Sequence, residues 1–155
     1  MSSHPVITPE QLLDHWQGHR RVTRRLIEVF PERELFDYAI GGMRPFAKLA
    51  TELLTMAVPI AQGVATGQWV NEKLELTTKG EILRLWDANT AELDRVWKTI
   101  PEKRFQEEDT AFGQWKMSGF AMIFYAIDNE VHHRGQGYVY LRSLGFEPPA
   151  FYDRS

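Results

Sequence analysis

Apolar side chains recur at helical spacing along four long stretches of the chain. The first stretch follows Thr8, which suits a helix N-cap, and Pro9, which suits the first position of a helix. Gln11 is placed to complete a capping box with Thr8, and Pro31 stops the pattern. The positions on the apolar side of this helix are Leu12, Trp16, Thr23, Leu26, Ile27 and Phe30.

Two further helices are predicted in the middle of the chain. The second follows Gly41-Gly42 and continues to about residue 66. The third begins after Thr77-Thr78, a good N-cap region, and stops before Pro101. The connection between these two helices is long enough to allow a crossover instead of a simple up-and-down arrangement.

The fourth predicted helix covers roughly residues 114–144, after a charged and turn-rich segment at 101–113. Gly145 suits its C-terminal cap, and Pro148-Pro149 excludes continuation. We find no strand-like alternation of useful length. The chain is therefore predicted to be an all-α four-helix bundle with a crossover connection, forming a single domain over residues 1–155.

Composition and charge narrow the function classes. With 155 residues, 43% of them hydrophobic and 25% charged, the chain has an ordinary globular composition. A net charge of −3 gives no general attraction to phosphate backbones, and the basic run HRRVTRR at residues 19–25 is typical of a solvated helix face. We therefore expect no nucleic-acid partner.

The absence of cysteine excludes disulfides, a catalytic thiol and thiolate metal ligands, and it fits the reducing cytoplasm. No export signal is visible in MSSHPVITPEQ, and the most apolar stretches, such as residues 120–127, are too short to span a bilayer. We expect a cytoplasmic protein without a membrane partner.

The polar stretch DNEVHHRGQGYVYLR, residues 128–142, lies in the fourth predicted helix and follows a segment that is apolar on every side. A helix that is apolar all round is buried, so this polar cluster is attached to the most interior helix. Asn129 and Glu130 lie four and three residues before His133, which predicts that these three side chains meet on one face. Metal ligands and acid–base pairs both use such spacings.

Asp128 and His132 form a second pair four residues apart, on another side of the same helix. The candidate catalytic residues are therefore Asp128, Glu130 and His132, in an acid–base pair Asp128–His132 or Glu130–His133. A hydrogen-bonded structural role is the simpler interpretation of two histidines on one helix, because a metal needs at least three ligands.

His15 and His19 have the same spacing on the first helix, where histidines at the edge of the apolar face are usually structural. If the first and fourth helices pack together, His19 could approach His133. His19 is therefore included among the candidate metal ligands.

The segments HHRGQGYVYLRSLGFEPP, GGMRPF and WQGHRRVTRRLIEVFP resemble the DinB family, which is grouped with YfiT-like metalloenzymes. The resemblance covers nearly the whole chain. It implies a four-helix bundle of crossed connectivity, often a homodimer, with a zinc or nickel ion held by three histidines. Some relatives use the metal to activate a low-molecular-weight thiol or a water for transfer, isomerisation or hydrolysis of a small molecule.

This chain matches the family pattern H-x-x-x-H-R-G-Q only in part. His133 matches the second histidine, but Asn129 stands at the position of the first. The second helix has no histidine, and its nearest counterpart is Glu52 or Thr51. Helical phase places Glu52 opposite the apolar side of that helix, which argues against an inward ligand. The candidate metal set is His133, Asn129, Glu52 and His19.

Three hypotheses follow. In the first, the chain is a metal-dependent hydrolase or thiol transferase with an altered, partly degenerate site. In the second, it is a metal-free enzyme or binding pocket of the same shape. In the third, it is a non-catalytic, stress-related dimeric bundle whose HHRGQ segment is a structural hydrogen-bond network.

Overall fold

The computed structural model describes residues 4–155 and consists mainly of four long helices, which confirms the predicted all-α bundle. The first three residues of the N-terminal segment considered above lie outside the described residues. A short helix, a 3-10 turn at Glu102–Phe105 and a small β-hairpin lie between the long helices. The helices are α1 (Pro9–Val29), α2 (Glu32–Asp37), α3 (Phe46–Thr66), α4 (Lys79–Trp97) and α5 (Gly119–Ser143).

The helix starts follow the capping signals in the sequence. The Thr8 hydroxyl accepts from the backbone N–H of Gln11, whose side chain returns a bond to Thr8, so the predicted capping box is confirmed. Thr78 and Glu81 form the same arrangement at the start of α4. Such caps satisfy backbone N–H groups that have no partner inside the helix.

The predicted start of the last helix at residue 114 is wrong. Strands β1 (Glu108–Ala111) and β2 (Trp115–Ser118) pair as an antiparallel hairpin, and α5 begins only at Gly119. Ser118 caps this helix by accepting from the N–H of Ala121. Strands of four residues are too short for alternation to distinguish them from a helical first turn.

The four long helices contact one another in the cyclic order α1, α4, α3, α5. Consecutive α3 and α4 are therefore neighbours, whereas α1 and α3 lie diagonally, as do α4 and α5. The crossed connectivity is present, but the crossings are made by residues 30–45 and 98–118, not by the loop between α3 and α4 where the sequence pattern placed one. The short helix α2, which the pattern did not predict, lies in the first crossing and buries Leu35.

Two apolar clusters fill the bundle, one towards each end. One contains Trp16, Trp97 and Ile123, and the other contains Leu26 and Phe46. Between them runs a layer of buried polar side chains, which we call the polar layer: Gln17, His19, Arg20, Thr23, Glu130, His133 and Arg134. Buried polar groups need partners, so this layer is where chemistry or a structural network is expected.

The expectation that the most apolar stretches are too short to span a bilayer does not hold for α3, which is long and apolar enough to cross a membrane by length and composition. However, 61% of its apolar window is buried inside the bundle. Burial of this kind is typical of a core helix of a bundle.

Candidate functional site

The candidate site lies where α3 and α5 meet at the level of the polar layer. The Oε1 atom of Glu52 lies 3.1 Å from Nε2 of His133 and accepts a bond from the side-chain amide of Asn129 at 3.3 Å. Its Oε2 atom accepts from Arg44 Nη1 at 2.5 Å. Three donor groups from two parts of the chain therefore converge on one carboxylate. We call these four residues, with Gln136, the Glu52 cluster.

The imidazole of His133 is held from both sides. Its Nδ1 atom lies 2.7 Å from Oε1 of Gln136, and its Nε2 atom faces Glu52. Each ring nitrogen faces one oxygen atom, and the tautomer of the ring decides which nitrogen donates. The side chain is only 9% exposed, so these two contacts define its orientation.

The Glu52 carboxyl is held in its ionised form. Partial burial acts to raise its pKa, but hydrogen bonds from Arg44, Asn129 and His133 outweigh burial and lower the pKa below its usual value. A carboxylate held by three donors is a stable negative charge and a weak base.

Helical spacing explains why Asn129 and His133 lie together, and side-chain length explains how Glu52 reaches them. Asn129 and His133 are four residues apart on α5 and do share a face, as predicted. The prediction that Glu52 points away from the bundle is wrong. Its long side chain leaves α3 beside the apolar face and reaches α5, while 31% of it stays exposed.

A second set of polar contacts joins α5 to α1. Glu130 is 2% exposed, and it accepts from the hydroxyl of Thr23 at 2.6 Å and from the indole N–H of Trp16 at 3.3 Å. Arg134 donates to the carbonyl and to Nδ1 of His19, both at 2.9 Å. These contacts bind two core helices to each other.

Burial changes the ionisation of this second set. Desolvation raises the pKa of Glu130 above its ordinary value, although the nearby Arg20 and Arg134 act in the opposite direction. Desolvation, with the positive charge of Arg134, lowers the pKa of His19 to about 3. His19 is therefore neutral and serves as an acceptor for Arg134.

The structure brings together three of the four residues proposed as metal ligands, namely Glu52, Asn129 and His133. The fourth, His19, lies in α1 and contacts Arg134 instead of His133. Its Nδ1 atom accepts a hydrogen bond from the Arg134 guanidinium. The expected pairing of Glu130 with His133 is wrong in the same way: the two side chains leave α5 towards different helices.

The other two catalytic candidates lie on the surface. Asp128 and His132 are both exposed, and among residues 4–155 no hydrogen bond joins them. Conversely, the pattern analysis missed Arg44 and Gln136 as members of the site. The spacing of three residues between His133 and Gln136 is the signal that identifies Gln136; Arg44 lies in a loop and had none.

The residues present do not fit a three-histidine zinc or nickel site. One imidazole is present at the Glu52 cluster, and Asn129 turns its amide nitrogen towards the carboxylate. Arg44 neutralises the same carboxylate and competes with a cation for it. Within the part of the chain that the structure describes, no group of three or more His, Asp or Glu side chains is placed to hold a metal.

A cleft of about 290 Å³ opens next to the cluster, between α3, α5, the hairpin and the loop after α3. Glu52 belongs to its wall, so one residue takes part in both the cluster and the cleft. The remaining wall is mainly apolar and aromatic. Its lining residues are Glu52, Thr55, Met56, Ile60, Asn71, Glu72, Phe112, Trp115, Met117, Met122 and Tyr125.

With this fold and site, the chain belongs to the DinB family, whose model matches residues 1–155. It is 26% identical to the uncharacterized protein YjoA of Bacillus subtilis (strain 168), over 93% of this chain and 96% of YjoA. The crystal structure of that DinB-like protein superimposes with a TM-score of 0.77 at 24% identity, covering 94% of this chain and 99% of YjoA.

Two other solved structures share the fold. A DinB-like protein from Bacillus cereus ATCC 10987 matches with a TM-score of 0.74 at 21% identity, over 92% of this chain and 97% of that one. A mutant of the mycothiol-dependent maleylpyruvate isomerase matches with a TM-score of 0.64 at 12% identity, over 84% of this chain and 61% of the isomerase. At these identities the likeness concerns the fold.

Proposed function

We propose that this DinB-family protein binds a small molecule in the cleft beside the Glu52 cluster, without a metal ion. The single observation that carries the proposal is the double position of Glu52, which is held by three donors on one side and lines the cleft on the other. A fixed carboxylate in a mainly apolar wall is the kind of polar group that orients a ligand.

The geometry favours binding over base catalysis. Hydrogen bonds from Arg44, Asn129 and His133 lower the pKa of Glu52, and a general base works best with a pKa near the working pH. In this proposal Glu52 contacts the ligand, and the three donors are positioning residues that keep the carboxylate ionised and aimed.

An enzymatic role remains the competing proposal, as a metal-dependent hydrolase or thiol transferase. The fold likeness to a thiol-dependent isomerase supports it only as an analogy of fold. The donor set of the Glu52 cluster speaks against it, for the reasons given above.

Part of the HHRGQ segment supports the third hypothesis. Arg134 and His19 bind each other within the polar layer, and Arg134 has no place in the cleft wall. We therefore propose divided roles for this segment: Arg134 holds α5 to α1, and His133 with Gln136 supports the ligand-binding carboxylate.

Methionine NMR tests the proposal directly. Three of the five methionines, Met56, Met117 and Met122, line the cleft, and Met43 lies outside it against Gln136. With methyl-labelled, untagged protein we expect fragments from a set of small apolar molecules with hydrogen-bond donors to shift the three cleft signals and not Met43.

Two variants and a chelator separate the hypotheses. Glu52→Gln should weaken fragment binding by about tenfold or more, because hydrogen bonds to charged groups are the stronger ones. The control, Asp128→Asn on the exposed side of α5, should bind like wild type. A fragment set that never moves the cleft signals contradicts the proposal. Binding that a chelator abolishes and zinc or nickel restores supports the metal-dependent alternative instead.

Homodimer formation, a cytoplasmic location and the absence of nucleic-acid and membrane partners stay predictions. Sedimentation of the purified protein at several concentrations tests the first of them.

A further inference from the structure

We infer that the ligand of the cleft is a cationic small molecule, an ammonium group on an aromatic or alkyl body. The inference rests on the proposed ligand-binding function and names the chemical class that this cleft accepts. The charge, the aromatic lining and the volume of the cleft support it, as does the hairpin turn that places one of its aromatic residues.

The charge of the wall selects against anions. Two carboxylates, Glu52 and Glu72, line the cleft, and its lining residues include no lysine, arginine or histidine. Arg44 compensates Glu52 from outside the cleft. Glu72 takes part in no ion pair among residues 4–155, so it leaves a negative charge in the wall.

Aromatic rings stand beside this charge. Trp115 and Tyr125 line the cleft and are 51% and 54% exposed, so an incoming group can reach both side chains. A cation over the face of tryptophan or tyrosine is attracted by the electrons of the ring, and tryptophan is the best of the three aromatic residues in this role. Carboxylate and aromatic faces together favour an ammonium group.

The deeper wall suits an apolar body. Ile60 and Met122 of the wall are buried, and Met56 and Met117 are partly buried. Methionine side chains are flexible and polarisable, and they adapt to ring-shaped ligands. A volume of about 290 Å³ lies at the lower end of the range for ligand pockets and limits the ligand to a small molecule.

The hairpin turn holds an aromatic residue in an unfavourable backbone conformation. Phe112 has φ 52° and Gly113 has φ 69°, and the N–H of Gln114 closes the turn on the carbonyl of Ala111 at 3.0 Å. Asparagine, aspartate or glycine is the usual residue at the first of two such positions. A phenylalanine there has a backbone cost, and its ring contributes to the cleft wall and packs edge to face with Trp115.

Three probes that share a phenyl ring on a two-carbon chain and carry different polar groups test the inference: 2-phenylethylammonium, 2-phenylethanol and phenylacetate. Binding is followed by the methyl signals of Met56, Met117 and Met122, with Met43 as the internal control. We expect the ammonium probe to bind about tenfold more tightly than the alcohol, and the carboxylate to bind most weakly. Raising the salt concentration should reduce the preference.

Variants then assign the preference to the wall. Glu72→Gln should bring the ammonium and alcohol probes to within about threefold of each other, and Trp115→Leu should reduce the preference while keeping an apolar wall. Glu75→Gln, in the same loop but outside the cleft wall, is the matched control and should keep the wild-type ratio.

The outcomes separate this inference from the proposed function. If the three probes shift the cleft methionines with equal affinity, ligand binding stands and the cationic class is overturned. The class is equally overturned if phenylacetate binds best, or if neutral fragments bind and the ammonium probe does not. If neither probes nor fragments reach the three methionines, the proposed function itself fails.

Discussion

At the scale of single residues, the same segment of α5 serves two different neighbours. His133 turns to α3 and contacts Glu52, while Arg134, the next residue, turns to α1 and contacts His19. Consecutive positions of a helix point about 100° apart, so adjacent polar residues reach different partners. Sequence spacing alone placed Asn129 and His133 correctly because they are on one helix, but it could not choose their partners on other helices.

The neutral histidine of the polar layer makes stability depend on pH. The pKa of His19 is about 3 in the folded protein and about 6.5 when the chain is unfolded, so only the unfolded chain takes up this proton between those values. The contribution of the neutral His19 to the free energy of unfolding is therefore fully present above about pH 6.5. It is lost as the pH falls towards 3. The loss approaches about 1.4 kcal/mol for each pH unit at most.

Urea unfolding of His19→Asn at a series of pH values between 4 and 8 measures this contribution. Asparagine keeps an oxygen that can accept from Arg134 but does not titrate, so the variant should lose less stability than wild type as the pH falls. His132→Asn, at an exposed position of α5, is the control for the same change of residue type. Equal slopes for wild type and His19→Asn would show that His19 is not held neutral by burial.

At the scale of elements, the long helices were predictable and the connections were not. Capping boxes and apolar periodicity placed α1, α3 and α4 because these are local signals. The hairpin and α2 are too short for periodicity, and the order of the helices in the bundle depends on contacts far apart in sequence. The cleft was not predictable from the sequence either, because the hairpin provides part of its wall.

Two glycines of α5 illustrate how packing decides the effect of one substitution. A Cβ atom at Gly137 would lie 2.7 Å from Phe46 and 2.8 Å from Leu26, whereas a Cβ atom at Gly135 would meet nothing within 4 Å. We expect Gly137→Ala to cost about 1–3 kcal/mol through overpacking. Gly135→Ala should raise the free energy of unfolding by about 0.5–1 kcal/mol, because alanine favours a helix interior.

Chemical denaturation of the two alanine variants provides a matched comparison, since the positions are two residues apart on one helix. Opposite signs for the two changes in unfolding free energy are expected. Loss of stability in Gly135→Ala would show that this glycine, within the family motif HRGQ, has a contact outside the monomer, such as a partner subunit on the exposed face of α5.

At the scale of the whole molecule, the bundle is two apolar clusters separated by the polar layer. The layer has a structural side towards α1, where Glu130 and Arg134 are sealed, and the Glu52 cluster towards α3, beside an open cleft. Membership of the DinB family accounts for the bundle, and the residues of this chain account for a site that differs from the three-histidine pattern. In the proposed function, this family scaffold holds a ligand-binding carboxylate instead of a metal centre.

Nitrogen NMR of the His133 ring shows whether the Glu52 cluster takes up a metal ion. The protein is produced without an affinity tag, its signals are assigned with His133→Asn, and one equivalent of Zn²⁺ or Ni²⁺ is added. Because Glu52 and Gln136 already occupy both ring nitrogens, neither His133 signal should move. A stoichiometric shift or broadening of the Nε2 signal that disappears in Glu52→Gln would contradict this prediction and establish a metal site at the Glu52 cluster.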